Sequence, residues 1–171
     1  MTIHSGHPFL EPPADRDPVR RLRGRLGGAV SLWATGSEDA RAALTVSSVL
    51  VAAGEPARLL GLLDPDSDLA TTVASTGTAV VALLQWPHRN LADAFAGVAP
   101  APGGAFRLGT WSQTPWGPLL DGVSAWAGVR FAGPARQVGW SGLFEGVVEH
   151  VEILAEEAPL LHRRGRYVRP A

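Results

Sequence analysis

From Gly28 to the C-terminus, glycine, proline or Asp/Ser clusters interrupt the chain at short intervals, and the segments between them are apolar or β-branched. That punctuation leaves no room for long helices and predicts many short strands. Strands are expected over residues 28–35, 42–51, 58–63, 78–84, 123–131, 142–154 and 161–168, with another near Leu119. Gly36-Ser37-Glu38-Asp39 and Gly54-Glu55-Pro56 are turns, and the 58–63 run reads as a strand buried on both faces. Only two helices are expected. One spans residues 67–75, opened by Asp64-Pro65-Asp66-Ser67 and carrying Leu69 and Val73 as an i, i+4 apolar pair. The other is capped by Asn90, sets Leu91 and Phe95 on one face and stops at Gly97. More strands than helices, joined by short turns, gives a mainly β fold class: a closed or partly closed β-barrel with a few packed helices, not a doubly wound sheet.

Pro8, Pro12, Pro13 and Pro18 lack amide donors, so residues 1–18 read as an extended N-terminal arm and residues 19–171 as one domain. A chain of 171 residues, 46% of them hydrophobic, fills a single core. The formal charge of −1 supplies no global field to gather nucleic acid or an anionic membrane. Arginine clusters at 20–25 and 163–169 lack the interleaved aromatics of a nucleic-acid platform and read as solvated or subunit-contact faces. The second is also suited to neutralise a nicotinamide-cofactor phosphate. Without cysteine there is no disulfide, thiolate metal site or cysteine nucleophile. No apolar run reaches bilayer length and no signal-peptide core is present, so the expected location is the cytoplasm.

Recognisable catalytic or metal signatures are few. His4 and His7 have no carboxylate or further histidine near them in sequence, and His88, His150 and His162 are isolated, so no metal site is expected. Gly139-Trp140-Ser141-Gly142-Leu143 lacks the last glycine of a nucleophile elbow. Neither a Gly-x-Gly-x-x-Gly turn nor a Walker lysine is present, so any nucleotide must be held differently. Six tryptophans stand at 33, 86, 111, 116, 126 and 140; of these, Trp111, Trp116 and Trp140 are the expected pocket-lining candidates and the rest core or interface residues.

The most informative stretch is Arg41-Ala42-Ala43-Leu44-Thr45-Val46-Ser47-Ser48, which places three hydroxyls inside an otherwise apolar strand. Hydroxyls together with strand amides suit the polar edge of a flat heteroaromatic ring. The same residues also serve simply as solvent-facing or cross-strand positions, and composition leaves both readings open.

The order of elements adds to this. Residues 28–35, then Arg41 with Thr45-Val46-Ser47-Ser48, then residues 59–64 with Ser67, together resemble flavin reductase-like proteins of the FMN-binding split β-barrel superfamily. Phe95-Ala96-Gly97, Leu119-Leu120-Asp121-Gly122, Pro159-Leu160-Leu161 and Arg164-Gly165-Arg166-Tyr167 extend the likeness from about residue 20 to residue 167. The resemblance implies that Thr45, Val46, Ser47 and Ser48 meet the isoalloxazine and ribityl chain. It places Leu63, Asp64, Ser67 and Asp68 around the flavin phosphate at a helix start, where free amides and the helix dipole favour an anion. Two positions depart from the family. Asp66 and Asp68 flank Ser67 with negative charge, and where the family has Gly-Asp-His this chain reads Gly139-Trp140-Ser141-Gly142, bordering the nicotinamide face with Trp140.

What the resemblance implies in function is a homodimeric NAD(P)H:flavin oxidoreductase. It would transfer hydride from NADH or NADPH to FMN, with FAD as a second flavin, and pass reduced flavin to a partner monooxygenase. No side chain need act as acid or base, because the flavin supplies the reactive atom. The alternative is a barrel that holds FMN or another flat ligand without turnover.

Overall fold

The computed structural model describes residues 17–171. Helix α1 spans Pro18–Leu26, and strands β1 (Gly28–Ala29) and β2 (Ser31–Thr35) follow. Then come β3 (Ala42–Val46), β4 (Val49–Ala52), β5 (Arg58–Leu63), α2 (Asp68–Thr76), β6 (Thr78–Leu83) and α3 (Arg89–Phe95). The second half is β7 (Trp111–Thr114), β8 (Gly117–Leu120), β9 (Ala125–Phe131), β10 (Arg136–Val138), β11 (Ser141–Ile153), β12 (Leu161–Arg163) and β13 (Arg166–Val168). The mainly β architecture expected from the punctuation is met.

The principal sheet is antiparallel in the order β3-β2-β6-β9-β11-β5-β4, with β10 beside β11. Its two terminal strands, β3 and β4, are consecutive in sequence and separated only by Ser47 and Ser48. The sheet therefore curls until covalent chain joins its edges, and the Leu62 amide donates to the Ser48 carbonyl at 3.0 Å across the closure. Inside the curl lie Trp33, Val46, Leu59, Leu63, Val129 and Phe144, covered by Leu69 and Val73 of α2. The opposite face carries Leu32, Val80, Ala82 and Trp126 beneath Leu91 and Phe95 of α3 and Leu120 of the β7–β8 hairpin. β2 and β6 are thus covered on both sides, which is why their sequences run apolar without a period of two.

Buried hydroxyls on these two-sided strands are paired. Ser31 donates to the Val46 carbonyl at 2.6 Å and accepts from the Trp33 indole at 3.1 Å, while Thr35 donates to the Thr78 carbonyl at 2.6 Å. Such bonds remove the desolvation cost of polar atoms in the core.

Several expected boundaries move. The 28–35 strand breaks at Val30 into β1 and β2, which belong to different sheets. The 42–51 strand breaks at Ser47-Ser48 because its halves pair with opposite edges. The 58–63 strand is not buried on both faces: Leu59 and Leu63 point inward while Leu62 is exposed. The 161–168 run is a hairpin turning at Arg164-Gly165, where both residues have positive φ, the pairing a two-residue primed turn requires. β10 was not expected at all; Gly139, with φ +58°, and Trp140 form its two-residue turn into β11. Asn90 lies within the first turn of α3, whose entry is formed by a 3₁₀ turn at Trp86–His88 with the Gln85 amide donating to His88 Nδ1 at 3.0 Å. Pro18 and Val19 are helical, capped by Asp17, so the arm ends before them; the remainder of the arm, with His4 and His7, lies outside the described residues.

Gly61 faces Trp33 so closely that a Cβ there would stand 2.5 Å from the indole. Gly61→Ala is therefore expected to destabilise the barrel by about 1–3 kcal/mol through overpacking, measured as a fall in the urea midpoint with an unchanged far-UV CD spectrum.

Candidate functional site

Register brings most of the expected site residues to one rim of the sheet. Gly61 pairs with Val49 and Leu63 with Gly142, so the start of β4, the end of β5 and the start of β11 lie side by side. Neighbouring strands are about 4.8 Å apart, which puts Ser48 and Ser141 on the order of 10 Å from each other. The rim thus gathers Ser47, Ser48, Leu63, Asp64, Ser141 and, at the β10–β11 turn, Trp140.

The four residues of the hydroxyl-rich segment have different environments. Val46 is buried among the barrel interior side chains, so only its backbone is polar, and its carbonyl already accepts from Ser31. Thr45 lies on the other face and donates to the Ala92 carbonyl of α3 at 2.6 Å. Ser47 is exposed and Ser48 half-buried, and among the described residues neither hydroxyl has a hydrogen-bond partner. The closure point therefore presents two free hydroxyls to a ligand while Thr45 fastens the strand from behind. Leu63 is core, and only its main chain reaches the rim.

The 64–68 loop is occupied by itself. The Asp64 carboxylate accepts from the Asp66 amide at 2.9 Å, and its carbonyl accepts from the Ser67 amide at 3.2 Å and hydroxyl at 2.8 Å. Ser67 Oγ in turn accepts from the Ala70 amide at 3.2 Å, and the Ser67 carbonyl from Thr71 at 3.1 Å. Of the amides opening α2, those of Asp68 and Leu69 remain. Asp64, Asp66 and Asp68 are all exposed, and no cationic side chain belongs to the loop. A flavin phosphate would meet three exposed carboxylates with only the Asp68 and Leu69 amides left to answer it, so this loop fits that group poorly.

Beneath Pro65 of the loop, a cavity of about 500 Å³ lies between α2 and the β9–β11 edge. Val73, Ala74, Phe131, Pro134 and Phe144 line it, with no charged side chain. None of the three tryptophans expected to line a pocket contributes. Trp140 is 95% exposed at its turn. Trp111 packs against Phe95 and Phe106, and Trp116 stacks on His150 at 5.3 Å.

Residues that the sequence reading left out of the site adjoin the closure from the other side. Ser47's carbonyl is 3.6 Å from where a Cβ on Gly28 would sit, and Gly28 pairs with His162 of the C-terminal hairpin. Tyr167 of that hairpin donates to the Asp93 carboxylate at 2.8 Å, and burial, reinforced by that carboxylate, pushes its phenol well above the usual tyrosine range. Burial, reinforced by Arg23, holds His162 below the ordinary imidazole value. The Arg-Gly turn at 164–165 was the signal that could have placed this hairpin.

Thr45→Val is expected to cost about 1 kcal/mol of stability by removing the strand's bond to the Ala92 carbonyl, which then keeps only the Ala96 amide, whereas Ser48→Ala is expected to stay within about 0.5 kcal/mol; denaturant melts of the two variants check the division between fastening and presenting residues.

Against known families, residues 23–171 match the model described as flavin reductase like domain. Among curated proteins, the FMN reductase (NADH) RutF of Ancylobacter novellus is 33% identical over 113 residues, covering 66% of this chain and 62% of that protein. The chain thus aligns with somewhat under two thirds of that relative's length. Among solved structures, the Streptomyces globisporus NADH:FAD oxidoreductase SgcE6 in complex with NAD and FAD fragments superposes with a TM-score of 0.80 at 21% identity, over 95% of this chain and 96% of that one. The styrene monooxygenase flavin reductase SMOB of Pseudomonas putida gives 0.78 at 18% identity, over 91% and 98%. These structural likenesses are of fold, and the family match spans nearly the whole described chain. The curled sheet closed at Ser47-Ser48 is a flavin reductase-like split barrel, and the chain belongs to the flavin reductase like domain family.

Proposed function

We propose that the chain is a flavin reductase that moves a hydride from NADH or NADPH to a flavin, FMN or FAD, and supplies a partner flavin-dependent monooxygenase. The observation carrying this is the pair of unpartnered hydroxyls, Ser47 and Ser48, at the point where a flavin reductase-family barrel closes. There they would orient the polar edge of the ring while Thr45 and Val46 hold the strand rigid from both faces. Bound flavin would supply the hydride-accepting atom. The chain's own tasks are to fix the ring, to seat the nicotinamide between residues 139–142 and the apolar cavity, and to keep water from the transfer path. The cavity's size and its Phe131 and Phe144 wall support a flat ring on that side.

The described residues contain no helix long and apolar enough to cross a membrane and no group of metal-ligating side chains. A second copy is the partner we propose for the outer face of β4, β5 and β11. Leu50, 72% exposed, stands there opposite Leu60, with Leu62, Leu143 and the Arg58–Glu145 pair at 3.9 Å beside them. A contiguous aliphatic face holding one charge of each sign suits a two-fold contact. Leu50→Glu is expected to convert the protein to a monomer in light scattering.

The direct test is turnover. Purified protein given free flavin is expected to oxidise NADH or NADPH, and Ser47→Ala combined with Ser48→Ala to raise the flavin KM about ten-fold with little change in kcat. Flavin binding without nicotinamide oxidation would instead establish a non-catalytic flavin-binding barrel, the reading favoured by Trp140-Ser141 where the family has an acid and a histidine. Failure to bind any flavin would overturn both.

A further inference from the structure

The two arginine clusters that are far apart in sequence meet in the fold. The Arg164 amide donates to the Gly24 carbonyl of α1 at 2.8 Å, and a Cβ at Gly27 would touch Arg163 at 3.5 Å. Arg20, Arg21, Arg23 and Arg25 of α1 are thereby gathered with Arg163, Arg164 and Arg166 of the C-terminal hairpin, all of them exposed. The two ion pairs among the described residues involve Arg58 and Arg130, so the hairpin arginines have no carboxylate partner there.

Arg163 and Arg166 are also direct cross-strand partners in the β12–β13 hairpin. Like charges directly opposite each other on a hairpin are destabilising. Arg164 between them occupies φ +53°, a conformation glycine adopts without strain. The fold thus concentrates unneutralised positive charge around a tight turn, and an anion placed there relieves the repulsion. Asp93, which the hairpin meets through Tyr167, already accepts from that hydroxyl.

This patch abuts the flavin corner through Gly28, whose Cβ position lies 3.6 Å from the Ser47 carbonyl. On the other flank stands the 64–68 loop, with three exposed carboxylates and with the Ser67 hydroxyl and the Asp66 and Ser67 amides already bonded internally. A ring seated on Ser47 and Ser48 therefore lies between a negative flank and a positive one. We infer that the anionic tail of the flavin runs toward Arg163 and Arg166 and not toward the helix start at Ser67. Arg163, Arg166 and Arg25 are then determinants of flavin specificity, favouring phosphorylated flavins over riboflavin. The inference rests on the flavin reading of the same corner.

Equilibrium titration of riboflavin, FMN and FAD by quenching of flavin fluorescence separates the possibilities. The wild-type protein is expected to bind FMN and FAD at least ten-fold more tightly than riboflavin, with the advantage shrinking as salt rises. Arg163→Gln with Arg166→Gln is expected to erase that advantage and leave riboflavin binding within about two-fold. Both positions are exposed, so the variant tests recognition more than folding. Ser67→Ala, even if less stable, is expected to keep the ratio of FMN to riboflavin affinity. A ratio unchanged by the arginine substitutions, or lost with Ser67→Ala, overturns the inference while leaving the flavin site standing. Absence of binding by all three flavins overturns the flavin reading and this inference with it.

Discussion

Closure of the barrel rests on one stretch of backbone. β3 pairs outward with β2, β4 pairs with β5, and the chain passes between the two edges in the two residues Ser47 and Ser48. The Leu62 amide bound to the Ser48 carbonyl pins that passage, and Trp33 fills the space behind it against Gly61. A longer connection would let the sheet open, and a bulky residue at 61 would push the wall outward. Because edge strands with free amides are a liability, curling the sheet until chain joins its edges also removes part of that exposure.

That geometric constraint explains why the functional site lies where it does. At the closure the strand leaves both ladders, so the side chains of Ser47 and Ser48 are the ones not committed to packing or pairing. Thr45, one turn of the pleat earlier, has its hydroxyl tied to α3, and Val46 is sealed in the core. Position along one strand thus sorts four adjacent residues into fastening, filling and presenting roles. Charge is sorted in the same way. Acidic residues cluster at the start of α2 on one flank, and arginines from both ends of the described chain converge on the other, although the whole sequence is nearly neutral.

Much of this was legible in the residues. The Gly/Pro punctuation led to the right fold class, and Ser67 caps its helix as its position before Leu69 and Val73 required. The uninterrupted apolar run of β6 matches its burial on both faces, although two-sided burial was expected of residues 58–63 instead. What stayed hidden was pairing at a distance. Nothing local in residues 42–51 shows that its halves join opposite edges of a sheet, and nothing in residues 20–25 or 163–169 shows that they meet. Trp140 illustrates the same limit: an aromatic beside a glycine reads as a pocket wall, whereas its place in a two-residue turn points it to solvent. The phosphate expectation at the 64–68 loop meets a further obstacle, since the hydrogen bonds that occupy the Asp66 and Ser67 amides form only once the turn is folded.

A crystal structure of the protein with FMN bound tests the central claim most directly. The account requires the polar edge of the isoalloxazine within hydrogen-bond distance of the Ser47 and Ser48 hydroxyls, with the phosphate on the side of Arg163 and Arg166. A ring buried between Phe131 and Phe144, or a phosphate held by the Asp68 and Leu69 amides, would contradict it.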